Sequence, residues 1–205
     1  MASTPSPYGF KAVNELGGLP YAGSTRMFPI ASGYGANIYN GSIVSIVAGG
    51  TVQIVTTNGD PISGAAFPAG TIGVFVGCTF TNPSTKQKQF SQFWPTGTVA
   101  SDALAYVVDD DRAVFQVQSA GQLVAADLGA NVYLNAVQST STGSTTSGNS
   151  TTAVVATGSV ITTTAAFRIV GFVDMQGFST VGDAYTDVLV KFNPGYHSYS
   201  NAVGI

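Results

Sequence analysis

Charge is the first thing that this sequence has little of. Asp, Glu, Lys and Arg make up 8% of its 205 residues, against about 25% in typical soluble proteins, and the formal net charge is −3. It has no basic run, since Lys86 and Lys88 are the only close pair of like positive charges. Neutralising phosphates would need far more positive charge, so we expect no nucleic-acid partner.

Cysteine and long apolar runs are equally scarce. The single cysteine, Cys78, cannot form an intrachain disulfide, and the apolar run GVFVGCTF around it favours a small buried side chain. The longest apolar runs fall far short of the about 20 residues that a membrane helix needs, so we expect no membrane partner. The start MASTPSPYGF has neither a basic nor an apolar signal region, which predicts synthesis in a cytoplasm without a signal peptide.

Motifs for catalysis and metal binding are missing too. The only histidine, His197, lies in the C-terminal run NPGYHSYSNAVGI, where we expect it on the surface or at an interface rather than in a metal site. The sequence contains no nucleophile elbow, zinc-protease motif, phosphate-binding loop or dinucleotide fingerprint. We therefore predict no enzymatic activity and no cofactor.

One acidic cluster, Asp109–Arg112, requires a choice between two interpretations. It lacks the alternating ligand spacing and the distal Glu of an EF-hand. The pattern favours a hairpin turn whose Asp side chains bond local amides, and a Ca²⁺ or Na⁺ ion at a turn or subunit junction is the alternative. No pair of carboxylates is singled out for glycoside hydrolysis.

What the sequence does have is a series of short apolar runs separated by Gly, Asn and Pro. Ser42–Val47 and Thr51–Thr57 flank an Ala-Gly-Gly turn and predict a hairpin, and the runs ALAYVVD and AVFQVQ on either side of Asp109–Arg112 predict a second one. The best helical candidate, Gly121–Gly129, predicts at most two turns. The other strand candidates are Thr71–Phe80, Lys88–Trp94, Asn131–Asn135, Thr152–Thr157, Ala166–Asp174 and Asp187–Phe192.

Many short strands with turn residues between them predict an all-β fold, with a single β-sandwich or barrel-like domain. We assign an extended N-terminal arm to residues 1–35, the β-rich domain to 36–192 and a C-terminal tail to 193–205. Within the domain, the run QSTSTGSTTSGNSTT at 138–152, here called the polar tract, has no large apolar residue. It is predicted to be an exposed loop.

The arm is rich in aromatic residues that follow neither the strand nor the helix period, and Pro7, Pro20 and Pro29 interrupt regular pairing. Burial of these aromatics alone cannot offset the entropy of ordering so much backbone. The arm therefore lies along its own domain or is loose in solution and becomes ordered on a partner. Its composition favours the partner, and the tail, which also lacks a period, suggests the same.

Trp94 and Phe93 are the strongest candidates for stacking on a sugar. Aromatic residues in an apolar strand more often fill a core or an interface, which is the interpretation that we favour here.

Three stretches resemble a group of virion proteins of tailed phages, known best from phages of cyanobacteria and other aquatic bacteria. They are PYGFKAVNELGGLPYAGSTRMFPIASGYGANIYNGSIV, GVFVGCTFTNPSTKQKQFSQFWPTGTVASDALAYVVDDD and DAYTDVLVKFN. The resemblance covers most of the chain and is weakest in the polar tract. It implies a capsid decoration, or cement, protein: a β-rich protein that sits outside the icosahedral shell and locks capsomers together.

The resemblance also implies partners and a location. The partners are the major capsid protein and further copies of this chain, as a homotrimer, on the outer capsid surface of the virion after synthesis in the bacterial host cytoplasm. The predicted capsid or subunit interface residues are Tyr8, Phe10, Tyr21, Arg26, Phe28, Tyr196 and Tyr199. The alternative is an adhesive or carbohydrate-binding module of a phage tail or fibre, which would use Trp94, exposed tyrosines and the polar tract.

Overall fold

The computed structural model describes residues 4–160, 163–175 and 178–205, which are nearly all β and confirm the all-β prediction. The strands are β1 Lys11–Glu15, β2 Arg26–Pro29, β3 Ile38–Tyr39, β4 Ile43–Ile46, β5 Val52–Ile54, β6 Thr71–Thr81, β7 Lys88–Ser91, β8 Phe93–Trp94, β9 Leu104–Val108, β10 Ala113–Gln118, β11 Asn131–Val132, β12 Phe167–Phe172 and β13 Asp187–Phe192. Single 3₁₀ turns cover Ala125–Asp127 and Ser198–Ser200, so the prediction of at most two helical turns within 121–129 is confirmed.

Parts of the predicted regions lie outside the described residues: 1–3 of the arm, and 161–162 and 176–177 of the β-rich domain. No helix in the part of the chain that the structure describes is long and apolar enough to cross a membrane.

The strands form two main antiparallel sheets. The first sheet has the order β1-β10-β13-β12-β11, and the second has the order β2-β9-β6-β4-β5 with β7 beside β6; β3 and β8 form a separate pair. The predicted hairpin at 42–57 is confirmed as β4 and β5. Its turn contains Gly50 at a φ of 72°, a conformation that glycine adopts without steric cost.

The eleven-residue strand β6 lies at the centre of the second sheet and is buried on both faces, as its near-continuous apolar sequence requires. Strand β9 occupies one edge of β6, whereas β4 and β7 share the other. Val74 packs into a first core with side chains of the first sheet, and Phe75 and Cys78 pack into a second core on the opposite face. The prediction that Cys78 is buried is confirmed, at 1% exposure.

The predicted second hairpin is wrong. Strand β9 pairs with β2 and β6 in the second sheet, whereas β10 pairs with β1 and β13 in the first. The segment Asp109–Arg112 therefore carries the chain from one sheet to the other. Both flanking runs are mostly buried, and an apolar run of that kind fits a central strand of either sheet, so the sequence alone could not separate the two arrangements.

Of three further strand predictions, one is confirmed, one corresponds to two strands and one is wrong. Asp187–Phe192 is β13, as predicted. Lys88–Trp94 divides into β7 and β8, which pair with different strands, because the chain changes partner at Gln92. Thr152–Thr157 forms no strand, since its Val154 makes only isolated bridges.

The interpretation that the N-terminal residues fit no element of their own is wrong. Residues 11–15 are β1 and residues 26–29 are β2, and they pair with β10 and β9. Phe10 is 1% exposed, and its ring lies 4.9 Å from that of Phe167 and 6.3 Å from that of Phe115. The partners lie far along the chain and β1 contains a bulge, so no local period could reveal these strands.

The C-terminal tail also packs on its own chain as far as the second 3₁₀ turn. The Asn193 amide nitrogen donates to the Asn131 side-chain oxygen at 2.9 Å and to the Ala165 carbonyl at 2.8 Å. His197 is 1% exposed, so the prediction that it lies on the surface or at an interface is wrong for the single chain.

The polar tract is only partly exposed, which corrects the prediction of an exposed loop. Gln138, Ser150 and Thr152 are buried within it. The Gln138 amide nitrogen donates to the carbonyls of Ile43 and Val55, both at 3.1 Å, and its amide oxygen accepts from Ile43 N–H at 2.9 Å. The side chain thus takes the place of a neighbouring strand, so the tract needs no large apolar residue to be held in place.

Replacing Phe10 by Ala is expected to lower the free energy of unfolding by about 3–5 kcal/mol, because it leaves a cavity between Phe115 and Phe167. Denaturant unfolding monitored by circular dichroism measures the loss. Leu19→Ala, at a side chain that is 64% exposed, is the control and should change stability by less than about 0.5 kcal/mol. Equal effects of the two substitutions would contradict the burial of Phe10.

Replacing Gln138 by Leu is expected to cost about 2–4 kcal/mol, because the Val55 carbonyl and the Ile43 N–H lose their partner and the Ile43 carbonyl keeps only the Val55 N–H. Hydrogen exchange should also become faster at Ile43, whose amide would be unpaired. The control Thr145→Leu, on an exposed residue of the same tract, should leave both measurements unchanged. Unchanged exchange at Ile43 in the Gln138 variant would show that the side chain does not hold the tract.

Candidate interaction surface

The seven predicted interface residues fall into three groups. Phe10 belongs to the first core and is not available to a partner in the folded chain. Tyr8, Tyr21, Phe28 and Tyr196 are half-buried against their own chain. Arg26 and Tyr199 are exposed and meet each other across the fold.

Tyr8 lies over the first sheet, where it covers a buried carboxylate. Its hydroxyl donates to Asp187 Oδ1 at 3.1 Å, and Lys11 Nζ lies 4.4 Å from the centre of its ring. Burial, followed by the charge of Asp187, raises the pKa of Tyr8, and burial also raises the pKa of Asp187. Tyr8 therefore anchors the N-terminal segment to its own domain.

Tyr21 and Tyr196 both pack against the first core. The Tyr21 hydroxyl donates to the Ser24 carbonyl, which stabilises the exposed loop between β1 and β2. Tyr21 also lines an open cleft of about 540 Å³ at the side of the two sheets, together with Ala12, Val76 and Val108.

Arg26, Asp109 and Tyr199 form a cluster that joins β2, the acidic turn and the tail. Arg26 Nε lies 3.0 Å from Asp109 Oδ2, an Arg26 terminal nitrogen donates to the Tyr199 hydroxyl at 3.0 Å, and that hydroxyl donates to Asp109 Oδ2 at 2.7 Å. Burial, and then the hydrogen bond to Asp109, raises the pKa of Tyr199 to about 12. Arg26 and Tyr199 were both predicted as interface residues, but no signal in the sequence indicates that they meet at Asp109.

In the segment Asp109–Arg112, one Asp side chain bonds a local amide, as the favoured interpretation predicted. Asp110 Oδ1 accepts from the Arg112 N–H at 2.8 Å, which is a local turn hydrogen bond. Among the described residues, no three His, Cys, Asp or Glu side chains come together in a way that could hold a metal ion.

Phe28 identifies which face of the second sheet is covered. It pairs with Ala105, which pairs with Cys78, and all three pack on the second core. Trp94 is in the same core at 0% exposure, with its ring 5.3 Å from that of Phe80. The interpretation of Trp94 as a core residue is therefore confirmed.

The opposite face of the second sheet is uncovered at one end. Along β9, Val108 belongs to the first core, whereas Tyr106 and Leu104, which point to the same side, are only half-buried. Tyr106 pairs with Met27, and Leu104 pairs with Pro29 on one side and with Thr79 on the other. The first sheet thus stops short of this end of the second sheet.

Strand β7 extends this uncovered region by one more residue. Phe90 pairs with Thr79, so its side chain joins the row that contains Leu104 and Pro29. Phe90 is 76% exposed and Met27 is 57% exposed. We call the residues Met27, Pro29, Phe90, Leu104 and Tyr106 the open face.

Charge is confined to the margin of the open face. Lys88 Nζ and Asp102 Oδ2 lie 4.0 Å apart beyond one end of it. Asp102 also accepts from the N–H and the hydroxyl of Thr81 at 3.0 and 2.7 Å, and hydrogen bonding from that hydroxyl is the main cause of its lowered pKa. An exposed apolar surface with an ion pair at its margin is typical of a protein-binding site.

Most of the open face could not be predicted from the sequence. Phe90 and Tyr106 lie in runs that predicted strands and Met27 lies in the arm, but no local signal shows which side of a sheet each side chain would face. They become one surface only through the pairing of β2, β9, β6 and β7. The run KQFSQ was the one available signal, since it places the single apolar residue Phe90 among polar residues of a predicted strand.

Comparison of the chain with protein-family models, with curated proteins and with solved structures finds no significant match.

His197 makes the fold sensitive to pH. Its Nδ1 accepts from Tyr199 N–H at 3.3 Å, so Nε2 carries the proton and donates to the Ile72 carbonyl at 2.9 Å. Burial lowers the pKa of His197 below its ordinary value of 6.5, despite the opposing charges of Asp109, Asp110 and Asp111. Protonation would also convert Nδ1 into a donor that faces the Tyr199 N–H.

The folded stability should therefore be complete above about pH 6.5 and decrease as the pH falls through the lowered pKa of His197, because the unfolded chain binds the proton first. Thermal melts between pH 7.5 and 5 measure this. The substitution His197→Gln should flatten the dependence over that range, since the chain has no other histidine. A slope that persists in the variant would contradict the assignment.

Proposed function

We propose that this protein is a capsid decoration protein that binds the outer surface of a tailed-phage icosahedral shell and stabilises it by bridging neighbouring capsomers. The single observation that carries the proposal is the open face, an apolar sheet surface that the chain leaves uncovered. The sequence resemblance supplies the partner, the major capsid protein. The proposed role is structural and not enzymatic, and the proposed location is the outer capsid surface of the virion.

The physical reason for this choice is the cost of leaving the open face in water. Phe90 and Met27 are large apolar side chains with more than half of their surface exposed. Each contributes binding free energy when a partner covers it, at about 25 cal/mol per Å² of apolar surface. A protein with so little charge has few repulsive groups to oppose close contact with other subunits.

The two main sheets support a more specific fold assignment as part of the proposal. Side chains from both sheets share the first core, for example Phe115 of β10 and Val74 of β6. Two antiparallel sheets with a common core are the arrangement of a β-sandwich. We assign the domain to this class.

The proposed attachment surface differs from the loose arm that the sequence suggested. Strand β2 contributes Met27 and Pro29 to the open face while its Arg26 is held by Asp109 and Tyr199. The N-terminal residues thus act as part of the sheet that presents the surface. The homotrimer implied by the resemblance would add avidity on the shell, and analytical ultracentrifugation tests it.

Co-sedimentation with undecorated shells of the encoding phage tests the proposal. Phe90→Asp places a charge on the part of the open face that β7 contributes and should weaken shell binding by about tenfold or more, because a buried unpaired charge is costly. Truncation of residues 1–30 is a poor test, since it removes β1, β2 and Phe10 and would unfold the domain.

The matched control is Ile62→Asp, since Ile62 is 70% exposed and does not belong to the open face. It should bind shells as the unmodified protein does, and both variants should keep the unmodified melting temperature. Shell binding that is unaffected by Phe90→Asp, or lost equally in the control, would refute attachment through the open face. Failure of the unmodified protein to bind shells would refute the function itself.

A further inference from the structure

A groove that shares no residue with the open face lies between the N-terminal segment and the polar tract. Its volume is about 230 Å³. This groove is the place where the polar tract, unused by the proposed attachment, meets the rest of the fold. The residues that matter for its chemistry are Pro5, Pro7, Gln118, Asn135, Thr151 and Tyr185.

The wall formed by the N-terminal segment is held by one side chain. Gln118 Oε1 accepts from the Ser6 N–H at 2.8 Å, and Gln118 Nε2 donates to the Thr4 carbonyl at 3.3 Å. Gln118 is 6% exposed. Pro5 and Pro7 are therefore fixed on either side of Ser6, with their rings against the groove.

The opposite wall is held by buried hydroxyls of the polar tract. Ser150 and Thr152 share a hydrogen bond of 2.7 Å between their hydroxyl oxygens, and Ser150 Oγ donates to the Thr142 carbonyl at 3.3 Å. Thr151, between these two buried residues, is exposed and lines the groove. Both walls are thus formed before any ligand arrives, which lowers the entropic cost of binding.

Several backbone N–H groups around the groove are already paired. The N–H groups of Ala120, Asn135 and Thr151 donate to carbonyls of the same chain at 2.8, 2.9 and 3.1 Å. These amides are not available to an incoming peptide strand, whose binding would depend on backbone hydrogen bonds. At these three positions, recognition must depend on side chains.

The side chains of the described residues that line the groove are all uncharged. The Thr151 hydroxyl and the Asn135 amide make no hydrogen bond to any residue that the structure describes, so both can donate to and accept from a ligand. Pro5, Pro7 and Tyr185 supply ring faces for apolar contact.

We propose that this groove binds one ring of a neutral oligosaccharide. A sugar ring presents hydroxyls that match Thr151 and Asn135, and its C–H face matches the rings of Pro5, Pro7 and Tyr185. An uncharged lining gives no compensation for a phosphate, a sulfate or an acidic sugar. The volume lies below the about 300–1,000 Å³ of pockets for drug-sized ligands, which suits a single ring of a chain that continues into solvent.

Nuclear magnetic resonance with the full chain tests the proposal, using an array of neutral glycans to choose the probe and maltotriose and triacetylchitotriose as defined ligands. Saturable shifts are expected at Asn135, Thr151 and Tyr185. Thr151→Arg fills the groove with a long charged side chain and should weaken binding by about tenfold or more. Thr145→Arg, on an exposed residue of the same tract outside the groove, should bind as the unmodified protein does.

The proposal is overturned if no neutral glycan shows saturable binding at concentrations up to about 10 mM. It is also overturned if the shifts lie outside the groove, if Thr151→Arg binds equally well, or if only sialyllactose or a proline-rich peptide binds. Shell attachment through the open face does not depend on any of these results.

Discussion

Burial of both faces of β6 is the constraint on which the rest of the structure depends. One face supplies Val74 to the core shared with the first sheet, and the other supplies Phe75 to the second core. The bulge between Phe75 and Gly77 shifts the register with β9 in the middle of the strand. Burial on both faces explains why this strand is the most apolar run of the sequence, and its two buried threonines, Thr71 and Thr79, each donate to a carbonyl, that of Pro68 at 2.8 Å and that of Gln89 at 3.2 Å.

The sequence predicted the elements better than their partners. The hairpin at 42–57 and strand β13 follow from local turn residues and apolar runs, because these signals lie within a few residues of each other. The separation of β9 from β10 does not, since either run could enter either sheet. Phe10 and β1 were missed for a related reason: their burial depends on β10 and β12, more than a hundred residues later.

The same distinction applies to the candidate surfaces. Arg26 in the arm and Tyr199 in the tail were predicted as separate interface residues. The fold brings both of them to the carboxylate of Asp109. The sequence does not show that Met27 and Phe90 share one surface, because a sheet face exists only after its strands pair. The uncharged polar tract was visible at once, but its anchoring through Gln138 was not.

Neutral side chains in this protein do the structural work that charges do in many others. Gln118, Gln138 and Asn193 each satisfy two or more groups of distant segments, and two ion pairs are found in the described residues. Amide hydrogen bonds are little affected by ionic strength, whereas ion pairs at a surface are screened by salt.

The first sheet brings the two halves of the chain together, since β10 is flanked by β1 from near the N-terminus and by β13 from near the C-terminus. During translation, β1 has no partner until β10 has left the ribosome, and β10 gains its second neighbour only after β13 has followed. Pairing across such long loops is slow to form. Newly made molecules therefore pass through a period in which unpaired strand edges can associate with other chains. The rate at which the chain is completed thus affects how it assembles with other chains.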